Sequence, residues 1–407
     1  MTIKSIQVIL TRGTTTLLLI ERVVGHMPES KGSVLMLPMG LDIGGAETHV
    51  ISLAKGMKRL GWQVLVASSG GQRVSELTEY GIPHFHAPLD SRLPHRMLQA
   101  YNAVSDILDT YDIDIIHAHA RIPIWLSTRL AKKRNIPLVA TYHGQFKAGF
   151  PWMFFTKPGD RTIAVSNSIK DYIVERFNFN PDNVIVIPNG IDVNLFHPAT
   201  EEEKSKARNL LNIPADATPV VAYVSRIEDD LTQAAITAQE AAFCLASKYP
   251  GTILLIAGDG PGMSAVKARA TDINSSCQKE LVHCLGFVLD TPSLYAASDI
   301  VLGMSRVALE SMASERPVII FGPKGTFGPI CPENIIALEE RNYVPNLAPF
   351  PSTAEVLCNL MEDLLKDPEK MRLAAKLGRQ TVLKHHSEDS VAKSTEQVYL
   401  DLLKHNK

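Results

Sequence analysis

The chain is 407 residues long, 45% apolar and 21% charged, with 41 Lys plus Arg against 43 Asp plus Glu. That length exceeds one ordinary core and suits two domains, and the composition excludes a disordered, fibrous or membrane-spanning chain. A formal net charge of -2 excludes general attraction to nucleic acid or anionic lipid, so any phosphate binding has to be local.

At the N-terminus, residues 16–20 form a short apolar run, but Glu21 and Arg22 follow where a small-residue cleavage site would stand. No signal peptide is expected, and no other run approaches the roughly 18 apolar residues of a membrane span. The cysteines, Cys244, Cys277, Cys284, Cys331 and Cys358, are odd in number and show neither CxxC nor Cys/His spacing. They point to reduced thiols in a cytoplasmic setting, without a zinc site or disulfide frame. Residues 1–33 precede the first strand–helix unit and read as a loosely ordered extension.

From residue 34 onward, short apolar β-branched runs alternate with segments of helical period, the pattern of an α/β protein with parallel sheets. Strands are expected at 34–37, 63–67, 113–117, 138–142, 162–165 and 184–187, then at 220–224, 253–257, 281–285, 300–302 and 318–321. Between the first two, Ala46, Val50, Leu53, Ala54, Met57 and Leu60 recur at helical spacing ahead of Gly61. The turn formers Pro188, Asn189, Gly190 and Pro198 separate two complete strand–helix series. The organisation is therefore an N-terminal domain at 34–190, a C-terminal domain at 191–385, and an amphipathic helix at 386–407 that packs across a domain.

Candidate residues cluster at strand ends, the edge where open α/β sheets bind ligands. Gly44, Gly45, Ala46 and Glu47 lie between the first strand and its helix, where glycines admit close approach and a helix N-terminus favours phosphate. His117 and His119 end the strand at 113–117, and His143 with Gly144 ends the next; histidine there can bond a sugar hydroxyl or a developing charge. One such histidine is more often structural, but two on adjacent strands point to a site. In the second series Arg226 follows the first strand, Gly258 to Pro261 the second, Gly286 to Val288 the third, and Arg306 with Glu310 the fourth. Arg226 offers bidentate donation to a diphosphate. Glu310 either serves the helix dipole or accepts hydrogen bonds from ribose hydroxyls.

These motifs, in this order, resemble the GT-B glycosyltransferases of the retaining, glycogen-synthase-like family 4. The resemblance rests on Gly44-Gly45-Ala46-Glu47, Ile116-His117-Ala118-His119, Thr141-Tyr142-His143-Gly144, Pro188-Asn189-Gly190-Ile191-Asp192, Val224-Ser225-Arg226, Gly258-Asp259-Gly260-Pro261 and Ala308-Leu309-Glu310-Ser311-Met312-Ala313. It implies two facing Rossmann-like domains with a cleft between them, a nucleotide-sugar donor mainly on the second, a glycan or lipid-linked acceptor on the first, and no metal or other cofactor. The resemblance places Glu310 on the ribose, Arg226 and Arg306 near the diphosphate, Val288 at the base edge, Gly45, Gly258 and Gly260 on the donor, and His119 on the transferred sugar. Gly44, Glu47 and His143 fall on the acceptor side. It implies a UDP- or GDP-sugar hexosyltransferase of envelope or exopolysaccharide synthesis, cytoplasmic. The aromatic stretch 146–155 leaves two expectations open, an acceptor mouth with peripheral membrane contact or interdomain packing.

Two positions depart from the family pattern. Leu302 stands eight residues before Glu310 where a glutamate is usual, and Leu231 stands five after Arg226 where a lysine is usual. The short Gly303-Met304-Ser305-Arg306 resembles a branch with Gly-x-Gly-Arg. These departures leave two further expectations open: a sugar-nucleotide-binding protein of the same fold with little turnover, and a nucleotide-sugar 2-epimerase, for which the first domain shows no clear carboxylate pair.

Overall fold

The computed structural model describes residues 30–42 and 44–405. The expected extension lies, for residues 1–29, outside the described residues. Residues 31–33 belong to the folded body: the Lys31 amide donates to the Gly61 carbonyl at 3.2 Å, and the Ser33 amide donates to Asp114 Oδ2 at 2.7 Å.

The first lobe is built on seven strands: β1 (Ser33–Leu37), β2 (Gln63–Ser68), β3 (His84–His86), β4 (Ile115–Ala118), β5 (Leu138–Tyr142), β6 (Arg161–Ala164) and β7 (Val184–Val186). They lie in the order β3-β2-β1-β4-β5-β6-β7, all parallel. The second lobe carries β8 (Val220–Val224), β9 (Ile253–Ala257), β10 (Val282–Gly286), β11 (Ile300–Gly303), β12 (Val318–Gly322) and β13 (Gly325–Pro329). Its order is β10-β9-β8-β11-β12-β13, with β13 alone antiparallel.

The central strands are buried and mostly apolar because helices cover both faces. Val34 to Leu37 in β1 are completely buried, the odd members in one core with β4 and β5 and the even members in another with the helix Gly45–Arg59. Two strands fall outside the sequence expectation. β3 has three residues, two of them histidine, and β13 is Gly-Thr-Phe-Gly-Pro; both are edges, where neither apolar alternation nor length is needed.

The helix Glu388–His405 packs on the first lobe, not on the lobe that precedes it in sequence. Val391, Ala392, Val398, Tyr399 and Leu402 enter the core behind β1, and a Cβ at Gly56 would stand 2.7 Å from the Ala392 side chain. The Ile191 amide donates to the His386 carbonyl at 2.7 Å and the Glu388 amide to the Ile191 carbonyl at 3.0 Å. The chain thus crosses between the lobes twice at one place.

The thiol expectation is corrected. Cys244 on the helix Asp229–Ala246 and Cys358 on the helix Ala354–Lys366 form a disulfide, with Cα atoms 6.2 Å apart, and Cys277, Cys284 and Cys331 are free. The partners are 114 residues apart and meet because their helices pack side by side on the second sheet, which cysteine spacing does not reveal. Cysteine usage therefore no longer argues for a reducing compartment. Among the described residues no helix is long and apolar enough to cross a membrane.

Candidate active site

Strand order decides which loops converge. In the first sheet the chain builds outward from β1 to β3, then returns to β4 on the other side of β1; in the second it builds from β8 to β10 and returns to β11. Each reversal opens a crevice at the strands' C-terminal ends. Gly44, Gly45 and Glu47 follow β1, His119 follows β4, Arg226 follows β8, and Arg306 with Glu310 follows β11. Four of the motifs thus stand at the two switch points.

On the first lobe, Glu47 and His143 join His119 around one cavity of about 590 Å³. The Glu47 carboxylate folds back over Gly44, so that a Cβ there would collide with it. A Cβ at Gly45 would meet no protein atom within 4 Å; no packing within the protein requires glycine at that point.

His119 is one of four packed imidazoles. His117 and His119 lie with ring centroids 4.0 Å apart, His119 and His143 at 5.7 Å, and His49 and His143 at 5.0 Å. His117 is spent on structure: its Nδ1 lies 2.5 Å from the Tyr399 hydroxyl and its Nε2 2.7 Å from Thr141 Oγ1. Among the described residues His49 Nδ1, His119 Nε2 and His143 Nδ1 are buried with no hydrogen-bond partner, a costly state for polar atoms unless a ligand meets them. Burial is the main cause that lowers all four histidines, helped by repulsion from neighbouring imidazoles at His49, His117 and His119, with His117 brought to about 3 and His143 to about 4. The cluster is neutral at pH 7. Nitrogens of His49, His119 and His143 lie within 4.8 Å of one another, close enough to hold a metal ion.

On the second lobe, Glu310 sits on the helix Arg306–Ala313. Its carboxylate accepts from Arg306 Nε at 2.8 Å and from the Tyr295 hydroxyl at 3.0 Å. Burial raises the Glu310 pKa, while Arg306 and Tyr295 oppose the shift. Arg306 Nη1 is buried and has no hydrogen-bond partner among the described residues, and its charge contributes to lowering His49, so Arg306 and His49 lie within electrostatic reach of one another. Arg226 is 80% exposed and pairs with Glu228 at 2.8 Å; among the described residues no hydrogen bond joins it to the Glu310 pair. Gly258 and Gly260 have φ of +151° and +150°, and a Cβ at Gly258 would run into the Ser225 carbonyl. They let the β9 loop pack on the β8 loop that carries Arg226. Val288, half-buried, packs on the second lobe's core beyond β10.

The structure also settles what the two leucines are. Leu302 lies inside β11 and is completely buried, so a glutamate at that count would enter the core and not the cleft. Leu231 opens the helix Asp229–Ala246. Ser305, ahead of Arg306, holds φ +54° and ψ −123°, a conformation natural to glycine.

Sequence reasoning missed His49, Tyr295 and the cations Arg92, Arg121 and Lys147 that line the first-lobe cavity. His49 carries a weak signal, a histidine on the buried stripe of the helix Gly45–Arg59. Tyr295 and the cations carry none, since only tertiary packing aims them.

The comparisons follow the same division. A model described as Glycosyltransferase Family 4 matches residues 43–195, and one described as Glycosyl transferases group 1 matches residues 218–362. A Bacillus subtilis protein named as a glycosyltransferase, EpsD, is 24% identical over 86% of this chain and 92% of its own length. A Corynebacterium glutamicum GDP-mannose-dependent mannosyltransferase is 27% identical over 68% of this chain and 74% of its own length. Among solved structures, a Rickettsia africae glycosyltransferase superposes with a TM-score of 0.74 at 21% identity, covering 92% of this chain and 99% of that one. Anabaena HepE in complex with UDP gives 0.69 at 18% identity, covering 91% and 100%. With the motifs in place on two facing lobes, the chain belongs to the GT-B glycosyltransferases of the family 4, group 1 type.

Proposed function

We propose that this glycosyltransferase moves a hexosyl group, with retention and without a metal, from a UDP- or GDP-sugar held on the second lobe to a glycan or lipid-linked acceptor on the first. The observation that carries the donor reading is the buried Glu310, fixed by Arg306 and Tyr295 at the β8/β11 switch point, with the Arg306 charge in electrostatic reach of His49 on the other lobe. A buried carboxylate with spare lone pairs suits ribose hydroxyls, and the guanidiniums of Arg226 and Arg306, at the β8 and β11 ends, suit a diphosphate. Relatives support both donor types, one named for UDP-galactose acting on a diphosphoundecaprenol-linked sugar and one for GDP-mannose.

In this mechanism the bond between the anomeric carbon and the diphosphate oxygen breaks. The acceptor hydroxyl oxygen bonds that carbon from the same face, and its proton passes to the departing diphosphate. The protein's work is to stabilise charge gathering on the leaving group, through Arg226 and Arg306. Neutral His119 holds the sugar by hydroxyl hydrogen bonds without adding a competing charge. Beside the acceptor cavity, Phe150 is 95% exposed, with Met153 and Phe154 also exposed; this supports contact with the apolar part of a lipid-linked acceptor.

The test is a thermal-shift and donor-hydrolysis screen of UDP, GDP and their sugars, with and without EDTA. One nucleotide should stabilise the protein and be released from its sugar, with EDTA indifferent. Loss of release in EDTA would make the His49, His119 and His143 trio a metal centre and overturn the metal-free reading; no nucleotide response would overturn the donor site.

A further inference from the structure

The mechanism leaves part of the first-lobe cavity's lining unused, and that part is cationic. Arg92, Arg121 and Lys147 line it together with Phe146 and Trp152. The Arg92 guanidinium lies 4.2 Å from the Trp152 ring centroid and the Arg121 guanidinium 5.1 Å from the same centroid. Arg121 also stands 4.1 Å from the centroid of Phe146. Two guanidiniums thus flank one indole, close enough that Arg92 adds to burial in lowering the Arg121 pKa.

What is missing is a counter-charge. Among the described residues Arg92, Arg121 and Lys147 form no ion pair with any carboxylate; Arg121 reaches only the Lys147 carbonyl, at 3.3 Å. The cavity's acid, Glu47, is turned back over Gly44 on the β1 side. Like charges gathered around a cavity repel one another and stay together at a cost, and the arrangement gains when an anion enters. Planar guanidiniums suit the paired oxygens of a phosphate. Arg121 also opens the helix Arg121–Arg134, whose N-cap Ala120 supplies no side-chain acceptor, so that helix end adds to the positive field.

Resting on the reading that the acceptor enters this cavity, we propose that the acceptor carries a phosphate or diphosphate group, seated by Arg92, Arg121 and Lys147 on the Trp152 platform. The group is seated by side chains outside the imidazole cluster, leaving the acceptor hydroxyl free to reach the donor sugar. It is a recognition element and not the leaving diphosphate of the donor.

The test measures binding of inorganic pyrophosphate, glucose 1-phosphate and farnesyl diphosphate to the full chain by calorimetry, with the donor site first saturated by whichever of UDP and GDP stabilises the protein. Wild type is compared with Arg92→Gln/Arg121→Gln, Arg92→Lys/Arg121→Lys, Lys147→Gln and Arg226→Gln. The expected result is binding weakened at least about tenfold in the Gln double variant, largely restored in the Lys double variant, weakened a few-fold by Lys147→Gln, and retained in Arg226→Gln. Tightest binding of farnesyl diphosphate identifies a lipid-linked source, and tightest binding of glucose 1-phosphate a sugar phosphate. Binding that survives the Gln double variant but is lost in Arg226→Gln overturns the proposal while leaving the donor site intact. Binding by neither lobe overturns it as well. Unfolding midpoints of the Lys variant, which keeps both charges, separate lost recognition from lost folding.

Discussion

The two sides of the cleft are built on opposite electrostatic plans. The first lobe presents imidazoles kept neutral by burial, with nitrogens of His49, His119 and His143 left without a hydrogen-bond partner among the described residues. The second presents full charges held in pairs, Arg306 with Glu310 and Arg226 with Glu228. The difference matches the division of labour in the proposed reaction. A nucleotide diphosphate needs fixed positive charge and a fixed acceptor for its ribose, whereas a sugar in transit needs hydrogen-bonding groups that do not compete for the departing charge. The glycines divide in the same way: Gly258 and Gly260 are required by the protein's own backbone, while Gly45 is required by nothing inside the protein.

The comparison breaks first at Glu310. Glu310→Ala should abolish stabilisation by nucleotide and lower turnover by about 100-fold or more; thermal shift and nucleotide release read both. Next come the glycines. Gly45→Val should lower turnover about tenfold or more and leave the unfolding midpoint unchanged, whereas Gly258→Ala, forced against the Ser225 carbonyl at positive φ, should destabilise the fold by about 2 kcal/mol or more. Denaturant titration of both variants separates them, and equal effects on stability would remove the distinction.

The lobes should also respond differently to acid. An unfolded chain protonates its histidines near the ordinary value of about 6.5, but the folded lobe resists until about 4 at His143 and about 3 at His117. Folded pKa values below the unfolded ones mean that stability held above about pH 6.5 is lost as pH falls through that window. Glu310 shifts the other way: its raised pKa means that the carboxylate needed for ribose is lost early on acidification. Nucleotide affinity should therefore start to fall above the ordinary glutamate range. Unfolding curves and nucleotide titrations from pH 7.5 to pH 4 check both signs. The smallest effect is at Ser305, where Ser305→Gly should relieve the positive φ and raise stability by about 0.5–1 kcal/mol, with activity kept.

Much of this was legible in the sequence because parallel strands buried on both faces leave uninterrupted apolar runs. All the central strands fall within one or two residues of their expected places, and only the edges β3 and β13 left no pattern. The strand-end motifs were legible for the same reason: once strands are placed, the residues after them lie at the ligand edge. What the sequence could not show is convergence from a distance. His49 reaches His143 from another element, Tyr295 reaches Glu310 over 15 residues, and the Cys244–Cys358 bridge and the Arg92–Trp152–Arg121 stack depend on how helices and loops pack. Counting back from Glu310 to Leu302 misled for a related reason: the short β11 loop places that position inside the strand.

The central claim is that a donor fixed by the second lobe reacts at the imidazoles of the first. The measurement that tests it most directly is donor binding and donor turnover in His119→Ala beside Glu310→Ala. The account predicts that His119→Ala keeps nucleotide stabilisation but loses most sugar release, while Glu310→Ala loses both. Unchanged turnover in His119→Ala, or nucleotide stabilisation that survives Glu310→Ala, would contradict it.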